Sequence, residues 1–267
     1  MHVQHRNNVT VHGEGPRTLM FAHGFGCDQS MWRLVAPQFS GSDKVVLFDH
    51  VGVGGSDPSA YDAGKYRGLD GYAQDVVEIC ESQGLSGVNF VGHSVSAMIG
   101  VLAAVRRPDL FDRLILICAS PRFANDEGYV GGFDQHDLVD LIDLLAKNQL
   151  DWSAALAPAV VDDAAFQAEW RDKVCRIDPA IAADFARATF LSDHRAECRA
   201  VMTPTLLIEC SDDALAPPEV GAFVHEAIQD SRRVVLQATG HSPHLTSPMA
   251  VTQAMRAFLE PAPSVGC

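Results

Sequence analysis

The stretch Val88-Asn89-Phe90-Val91-Gly92-His93-Ser94-Val95-Ser96-Ala97-Met98-Ile99-Gly100 decides the reading of this chain. Val88 to Val91 form a short run of the kind that suits a strand buried on both faces. Val95 to Arg107 reads as a helix stopped at Pro108, which lacks the N–H a helix needs. Between them, Gly92-His93-Ser94-Val95-Ser96 makes a sharp strand-to-helix turn with small residues at 92 and 96. Such a turn lifts a serine hydroxyl above a sheet, where it can act as a nucleophile. The usual pentapeptide ends in glycine; Ser96 stands there instead, small but carrying a Cβ.

Outward from this turn the same rhythm repeats. Apolar runs at Thr18 to Ala22, Lys44 to Phe48, Arg113 to Ala119, Thr205 to Cys210 and Arg232 to Ala238 predict further buried strands, and Tyr72 to Cys80 has helical spacing. Strand-helix alternation of this kind predicts an α/β fold with a mostly parallel sheet and helices on both faces. The interval 121–195 breaks the rhythm with helical patterns at Gln135 to Asn148, Trp152 to Ala157, Ala164 to Cys175 and Pro179 to Phe190. Residues 1–120 and 196–267 therefore read as the core, and 121–195 as a helical lid inserted in it. There is no internal repeat, and Pro261 to Cys267 reads as a frayed tail.

The 267 residues, 47% hydrophobic and 20% charged, suffice for one large folded domain. Lysine and arginine number 20 against 34 acidic residues, and the net charge of −14 repels nucleic acid and anionic bilayers alike. Seven cysteines are an odd number without a C-x-x-C pair, so they read as small buried hydrophobes in a reducing compartment. Met1 to Asn8 is polar, and the longest apolar run, near Met98 to Val105, is too short to span a membrane. The expectation is a cytoplasmic protein.

A serine hydroxyl is a poor nucleophile until a base takes its proton, and the base needs a carboxylate to orient it. Ser211-Asp212-Asp213-Ala214-Leu215-Ala216-Pro217 follows the run Leu206 to Cys210, at the end of a strand where catalytic groups of open sheets gather. Asp213 is the chosen carboxylate and Asp212 the alternative. His241, after Gly240 at the end of the last run, is the chosen base. Backbone N–H groups of Phe25, in His23-Gly24-Phe25-Gly26, and of Val95 are the expected oxyanion donors, with side chains of lesser importance. Each feature alone has a bland reading as a turn glycine or a surface histidine; four segments in the required order favour catalysis.

No metal is expected, because the His241 and His244 pair has no third ligand nearby. Asp49 to Asp57 lacks the spacing of a phosphate loop and reads as a structural turn beside the site, with His93 as a neighbour of the elbow. The aromatics Phe123, Tyr129, Phe133, Trp152, Phe166, Trp170, Phe185 and Phe190 should mostly join lid to core, a few of them lining an apolar pocket for a small uncharged molecule.

His23 to Gly26, Asp49 to Asp57, Gly92 to Gly100, Tyr129 to Phe133, Ala188 to Asp193 and Gly240-His241 together resemble the α/β-hydrolase family of the bacterial stress regulator RsbQ, whose relatives include plant karrikin and strigolactone receptors. The resemblance spans nearly the whole chain. It implies a triad of Ser94, Asp213 and His241, an oxyanion hole at Phe25 and Val95, and a four-helix lid over a hydrophobic cavity lined by Phe123, Phe133, Trp152, Leu156 and Phe190. The expected activity is cofactor-independent hydrolysis of a small hydrophobic ester or lactone in a stress-signalling pathway. The alternative is a ligand-sensing receptor with slow or single-turnover hydrolysis that docks a protein partner, for which the resemblance offers a signalling phosphatase.

Overall fold

A computed structural model describes residues 2–260. A short helix α1 (Val3–Arg6) and strand β1 (Thr10–His12) lead into β2 (Thr18–Ala22) and β3 (Lys44–Phe48). Helix α2 (Leu69–Ser82), β4 (Val88–His93), α3 (Val95–Arg106) and β5 (Phe111–Ile117) follow. Then come four helices without an intervening strand: α4 (Gln135–Lys147), α5 (Gln149–Val160), α6 (Ala164–Arg176) and α7 (Pro179–Phe190). After α8 (Arg195–Ala200) the alternation resumes with β6 (Thr205–Asp212), α9 (Pro218–Ala227), β7 (Ser231–Thr239), α10 (Pro243–Thr246) and α11 (Pro248–Leu259). The tail 261–267, expected to fray, lies outside the described residues.

The strands form one sheet in the order β1-β3-β2-β4-β5-β6-β7, parallel except where β1 pairs antiparallel with β3. The chain passes from β2 to β3 on one side and returns through α2 to β4 on the other. Strand order therefore reverses between β2 and β4, and the carboxyl ends there open the crevice in which such sheets hold their ligands.

Both faces of the central strands are covered, which is why their sequences run apolar without alternation. Leu19 and Phe21 face Trp32, Phe39 and Met255 on one side, whereas Met20 and Ala22 face the cluster of Tyr72, Val76 and Ile99 on the other. Helix α3 is buried from Val95 to Ala104, so the nucleophile turn leads into the middle of the molecule. Each large apolar side chain buried this way contributes about 1.5–3 kcal/mol.

The inserted helices are set by local signals. Asp163 accepts from the N–H groups of Ala165 and Phe166 to start α6, and Asp178 from those of Ala180 and Ile181 to start α7, with Pro179 in the first turn. Helix α4 buries Leu138, Ile142 and Leu145 along one stripe and packs on α5 and α7, while α5 packs on α6. The reading that ended the second of these helices at Ala157 is corrected: α5 continues through Pro158, and its last turn is held by the buried Val160. Among the described residues no helix is long and apolar enough to cross a membrane.

Candidate active site

The carboxyl ends of four strands bring the singled-out segments together. Beyond β4, Ser94 takes φ +56° and ψ −121°, outside the regions L-residues prefer, at a cost of about 1–3 kcal/mol. The surroundings impose this conformation. Ser94 N–H donates to Ile117 O at the end of β5 (2.9 Å), and Ser94 O accepts from Ala97 N–H (2.8 Å). A Cβ on Gly92 would lie 2.4 Å from Ser96 O, so only glycine permits the tight turn.

Ser94 Oγ lies 2.8 Å from His241 Nε2, and His241 Nδ1 lies 2.7 Å from Asp213 Oδ2. A carboxylate can only accept, so Nδ1 carries the proton and the lone pair of Nε2 faces the serine hydroxyl. Asp213 Oδ1 accepts from Leu215 N–H (2.9 Å) and Ala216 N–H (3.1 Å). Burial pushes the Asp213 carboxyl up, but His241 and the two amides outweigh it and hold the group below its ordinary range. Asp212, the alternative, ends β6 with an exposed side chain; only its carbonyl takes part, accepting from Gly240 N–H (2.8 Å). His241 itself is held by its backbone, whose N–H donates to Val160 O (3.1 Å) and whose carbonyl accepts from His93 Nε2 (2.8 Å).

Ser96 has a use that its place in the pentapeptide did not reveal. Its hydroxyl donates to His23 O (2.5 Å) and meets His50 Nε2 (2.7 Å). His50 N–H donates to His23 Nε2 (3.2 Å), which leaves the proton on His23 Nδ1 to donate to Gly24 O (2.9 Å). The extra hydroxyl thus braces the Gly24-Phe25 loop against the elbow. The Asp49 to Asp57 turn braces it from outside, as Asp49 accepts from the N–H groups of Gln29 (2.7 Å) and Gly55 (2.8 Å). Phe25 N–H has no backbone acceptor among the described residues, and Val95 N–H opens α3, where the first amides of a helix lack intrahelical partners.

A small cavity of about 20 Å³ lies over Ser94 and His241. Phe123, Leu156 and Phe190 line it as expected, whereas Phe133 and Trp152 do not. Phe133 is half-buried and engaged by its backbone with Phe123 and Asn125; Trp152 stands behind Phe25, their ring centroids 5.6 Å apart. Trp170, one of the aromatics singled out in the sequence, also lines it, and residues the sequence reading missed complete the wall: Cys27, Val160, Thr189 and Leu215. The Phe25 ring, expected to matter less than its backbone, lines the cavity and packs on Phe185 and Phe190. A much larger cleft, about 770 Å³, lies between the Gly52–Pro58 turn and the end of α6, with neither Ser94 nor His241 in its wall.

His241 and His244 do not converge on a common point. His244 is buried between Trp32 and His93, and both ring nitrogens of His241 are taken by Asp213 and Ser94. Cys118 also approaches Asp213 and His241, within 4.8 Å. Five cysteines are buried, but Cys175 on α6 is exposed, its Sγ 3.8 Å from Ser153 Oγ, contrary to the expectation for it; Cys267 lies outside the described residues.

Three histidines around the elbow are buried and uncharged. Burial, then the neighbouring His241, pushes His93 down to about 3; burial, then His23 for His50 and His93 for His244, holds these two well below the imidazole range. An unfolded chain protonates such groups near pH 6.5 and the folded chain does not, so below that pH the unfolded state binds more protons and stability falls as pH falls. Each group contributes up to about 1.4 kcal/mol per pH unit between its two pKa values. Thermal melts should therefore show a Tm that is level above about pH 7 and drops steeply between about pH 6 and pH 4. A Tm maintained down to pH 4 would contradict the assignment.

A strand-to-helix turn bearing a strained serine, with a histidine and a carboxylate supplied from the ends of later strands of one mostly parallel sheet, defines the α/β-hydrolase architecture. The model of the "Alpha/beta hydrolase family" matches residues 19–254, and the chain belongs to that family. It is 39% identical over 254 residues to a "Karrikin insensitive 2 receptor" of Petunia hybrida, covering 93% of this chain and 94% of the relative. A strigolactone esterase of Arabidopsis thaliana is 38% identical over 255 residues, covering 94% and 96%. Among solved structures, a hydrolase from Oleispira antarctica superposes with a TM-score of 0.94 at 40% identity, covering 96% of this chain and 95% of that one.

Proposed function

We propose that this chain is a serine hydrolase that needs no cofactor and cleaves small hydrophobic esters or lactones. The observation that carries the proposal is the unbroken line of hydrogen bonds from Ser94 Oγ through His241 to Asp213, opening into a small apolar cavity. Ser94 Oγ attacks the carbonyl carbon while its proton passes to His241 Nε2. The carbonyl oxygen takes the negative charge and faces the N–H groups of Phe25 and Val95. Collapse breaks the bond to the alkoxide, which takes the proton from His241. Water then gives a proton to His241, attacks the acyl carbon and releases Ser94, which recovers the proton. In a lactone the leaving alkoxide stays tethered to the acyl group.

Residues 121–195 act as the lid. The two ends of the insertion meet where His194 N–H donates to Pro121 O (2.8 Å), a short base on which helices α4 to α7 can move as a unit. A space of about 20 Å³ holds about one water molecule, so a substrate enters only after the lid and its aromatic rings give way. Buried free thiols at Cys27, Cys80, Cys118, Cys198 and Cys210 support a reducing compartment, the cytoplasm. Nitrophenyl esters of increasing acyl length test the substrate class. The expected result is a kcat/KM for acetate or butyrate at least about tenfold above that for decanoate, since a small apolar pocket rejects what it cannot accommodate. A preference for long chains or for a phosphate ester would contradict it.

A second reading rests on the relatives, one named as a receptor and one as an esterase. In it, ligand binding and slow hydrolysis reorder the lid to dock a protein partner, a signalling phosphatase being the one the resemblance offers. Hydrogen exchange of α4 to α7 during turnover separates the two. Fast multiple turnover with unchanged lid protection supports the plain hydrolase, whereas near-single turnover with a lasting change in protection supports the receptor.

A further inference from the structure

Phe25 is flanked by two peptide planes, and they are held from different parts of the molecule. The plane before it carries Gly24 O and Phe25 N–H; its oxygen accepts from His23 Nδ1–H (2.9 Å) and Cys27 N–H (3.3 Å), both in the core. The plane after it carries Phe25 O, which accepts a buried hydrogen bond from the indole Nε1–H of Trp170 on α6 (3.2 Å). The chain then turns at Gly26 with φ +70°. A Cβ on Gly26 would lie 2.9 Å from that indole nitrogen and 2.5 Å from Val174 Cγ2, so α6 rests against bare backbone.

The same face of α6 continues along the segment that follows. Phe166, Glu169, Trp170, Lys173 and Val174 recur at the spacing that lines one side of a helix. The Arg33 guanidinium lies 5.5 Å over the Phe166 ring and pairs with both carboxylate oxygens of Glu169 (3.0 and 2.6 Å). Lys173 Nζ lies 2.6 Å from Asp28 Oδ2 and 2.9 Å from Ser30 Oγ. Exposed ion pairs taken singly hold little. Here the bonds that Glu169, Trp170 and Lys173 make to the core all fall on the single stretch 25–33, which is the segment that carries the oxyanion donor.

We infer that Trp170 is a positioning residue for the oxyanion hole, and that α6 is the clamp through which the inserted helices complete it. The inference rests on the serine-hydrolase reading. The conformation of Phe25 is set only when both flanking planes are fixed. The core fixes the one that bears the donor N–H; the insertion fixes the next. With α6 unseated, rotation at Phe25 shifts its ring and the Gly26 turn; the turn carries away Cys27 N–H, one of the two donors on Gly24 O, and the plane that bears the Phe25 N–H is then free to tilt. A donor misplaced by a fraction of an ångström loses much of its value to a charge that develops only in the transition state. The hole is thus complete only while the lid is closed.

Trp170→Phe keeps an aromatic ring and removes the indole N–H. With 4-nitrophenyl acetate the expected result is a fall in kcat of about tenfold, smaller than the loss of an oxyanion donor itself, with KM within about twofold of wild type. Affinity for a trifluoromethyl ketone, which forms an oxyanion on Ser94, should fall in step. A residue that only packs against substrate would move KM instead. Wild-type kcat in Trp170→Phe, or a change confined to KM, overturns the inference. Should Trp170→Phe fail to fold, the double variant Glu169→Gln, Lys173→Met loosens the clamp from its solvent side; a lower kcat at constant KM supports the inference, and an unchanged kcat overturns it. Ser94→Ala measured alongside separates the two levels. Full turnover in Ser94→Ala removes the underlying reading and the inference with it; an inactive Ser94→Ala beside a fully active Trp170→Phe removes the inference alone.

Discussion

Replacement of Ser94 by alanine is expected to lower kcat for a small ester by about five orders of magnitude, because the variant keeps the oxyanion donors and the pocket but has no atom to form the acyl-enzyme. The fold should survive. Only the hydroxyl is lost, and the backbone at 94 is held by bonds that alanine also makes: its N–H to Ile117 O and its carbonyl from Ala97 N–H. The melting temperature is expected to stay level or rise, as it often does when a group kept for chemistry is removed. A steady-state assay with a burst measurement checks this. Turnover above about a hundredth of wild type would place the nucleophile elsewhere.

The second large effect concerns the paired aspartates. Asp213→Asn should cost about 10⁴-fold in kcat. The amide removes the charge that stabilises the imidazolium. It also turns an acceptor into a donor, so that His241 carries its proton on Nε2 and presents it to the serine instead of a lone pair. Oδ1 of the new asparagine can still accept from Leu215 and Ala216 N–H, so the loss should appear in kcat and little in stability. Asp212→Asn should leave kcat within about threefold, because that side chain is exposed and only its carbonyl is used. Kinetics of the two variants side by side are sufficient, and the reverse order would reassign the carboxylate.

How far these residues were legible in the sequence depended on how local their physics is. The inner strands announced themselves because burial on both faces removes polar positions, as in Thr18–Ala22. Thr10–His12 did not: three residues at the sheet edge, two of them exposed, carry no such run. The meeting of Ser94, Asp213 and His241 could be anticipated because each stands at a strand end whose position the parallel sheet dictates. The pocket could not be read the same way. Which ring enters it depends on the rotation of α5, α6 and α7 about their axes and on the loop before α4. Leu156 faces the cavity and Trp152, one turn earlier, is hidden behind Phe25; Trp170 and Thr189 face inward where spacing gave no preference. The role of Ser96 was hidden for a similar reason, since its partners His23 and His50 stand just beyond the ends of β2 and β3 and meet it only after the sheet is assembled.

The measurement that bears most directly on the account is covalent capture of the nucleophile. A fluorophosphonate forms a stable phosphoryl-serine only where a base activates the hydroxyl and a donor pair receives the oxygen. Treated with a slight excess and analysed by peptide mass spectrometry, the protein should carry one adduct per chain, on the peptide bearing Ser94, and ester turnover should vanish in proportion to labelling. The account would be contradicted by an adduct on another residue that abolishes turnover, or by full turnover in a chain already labelled at Ser94.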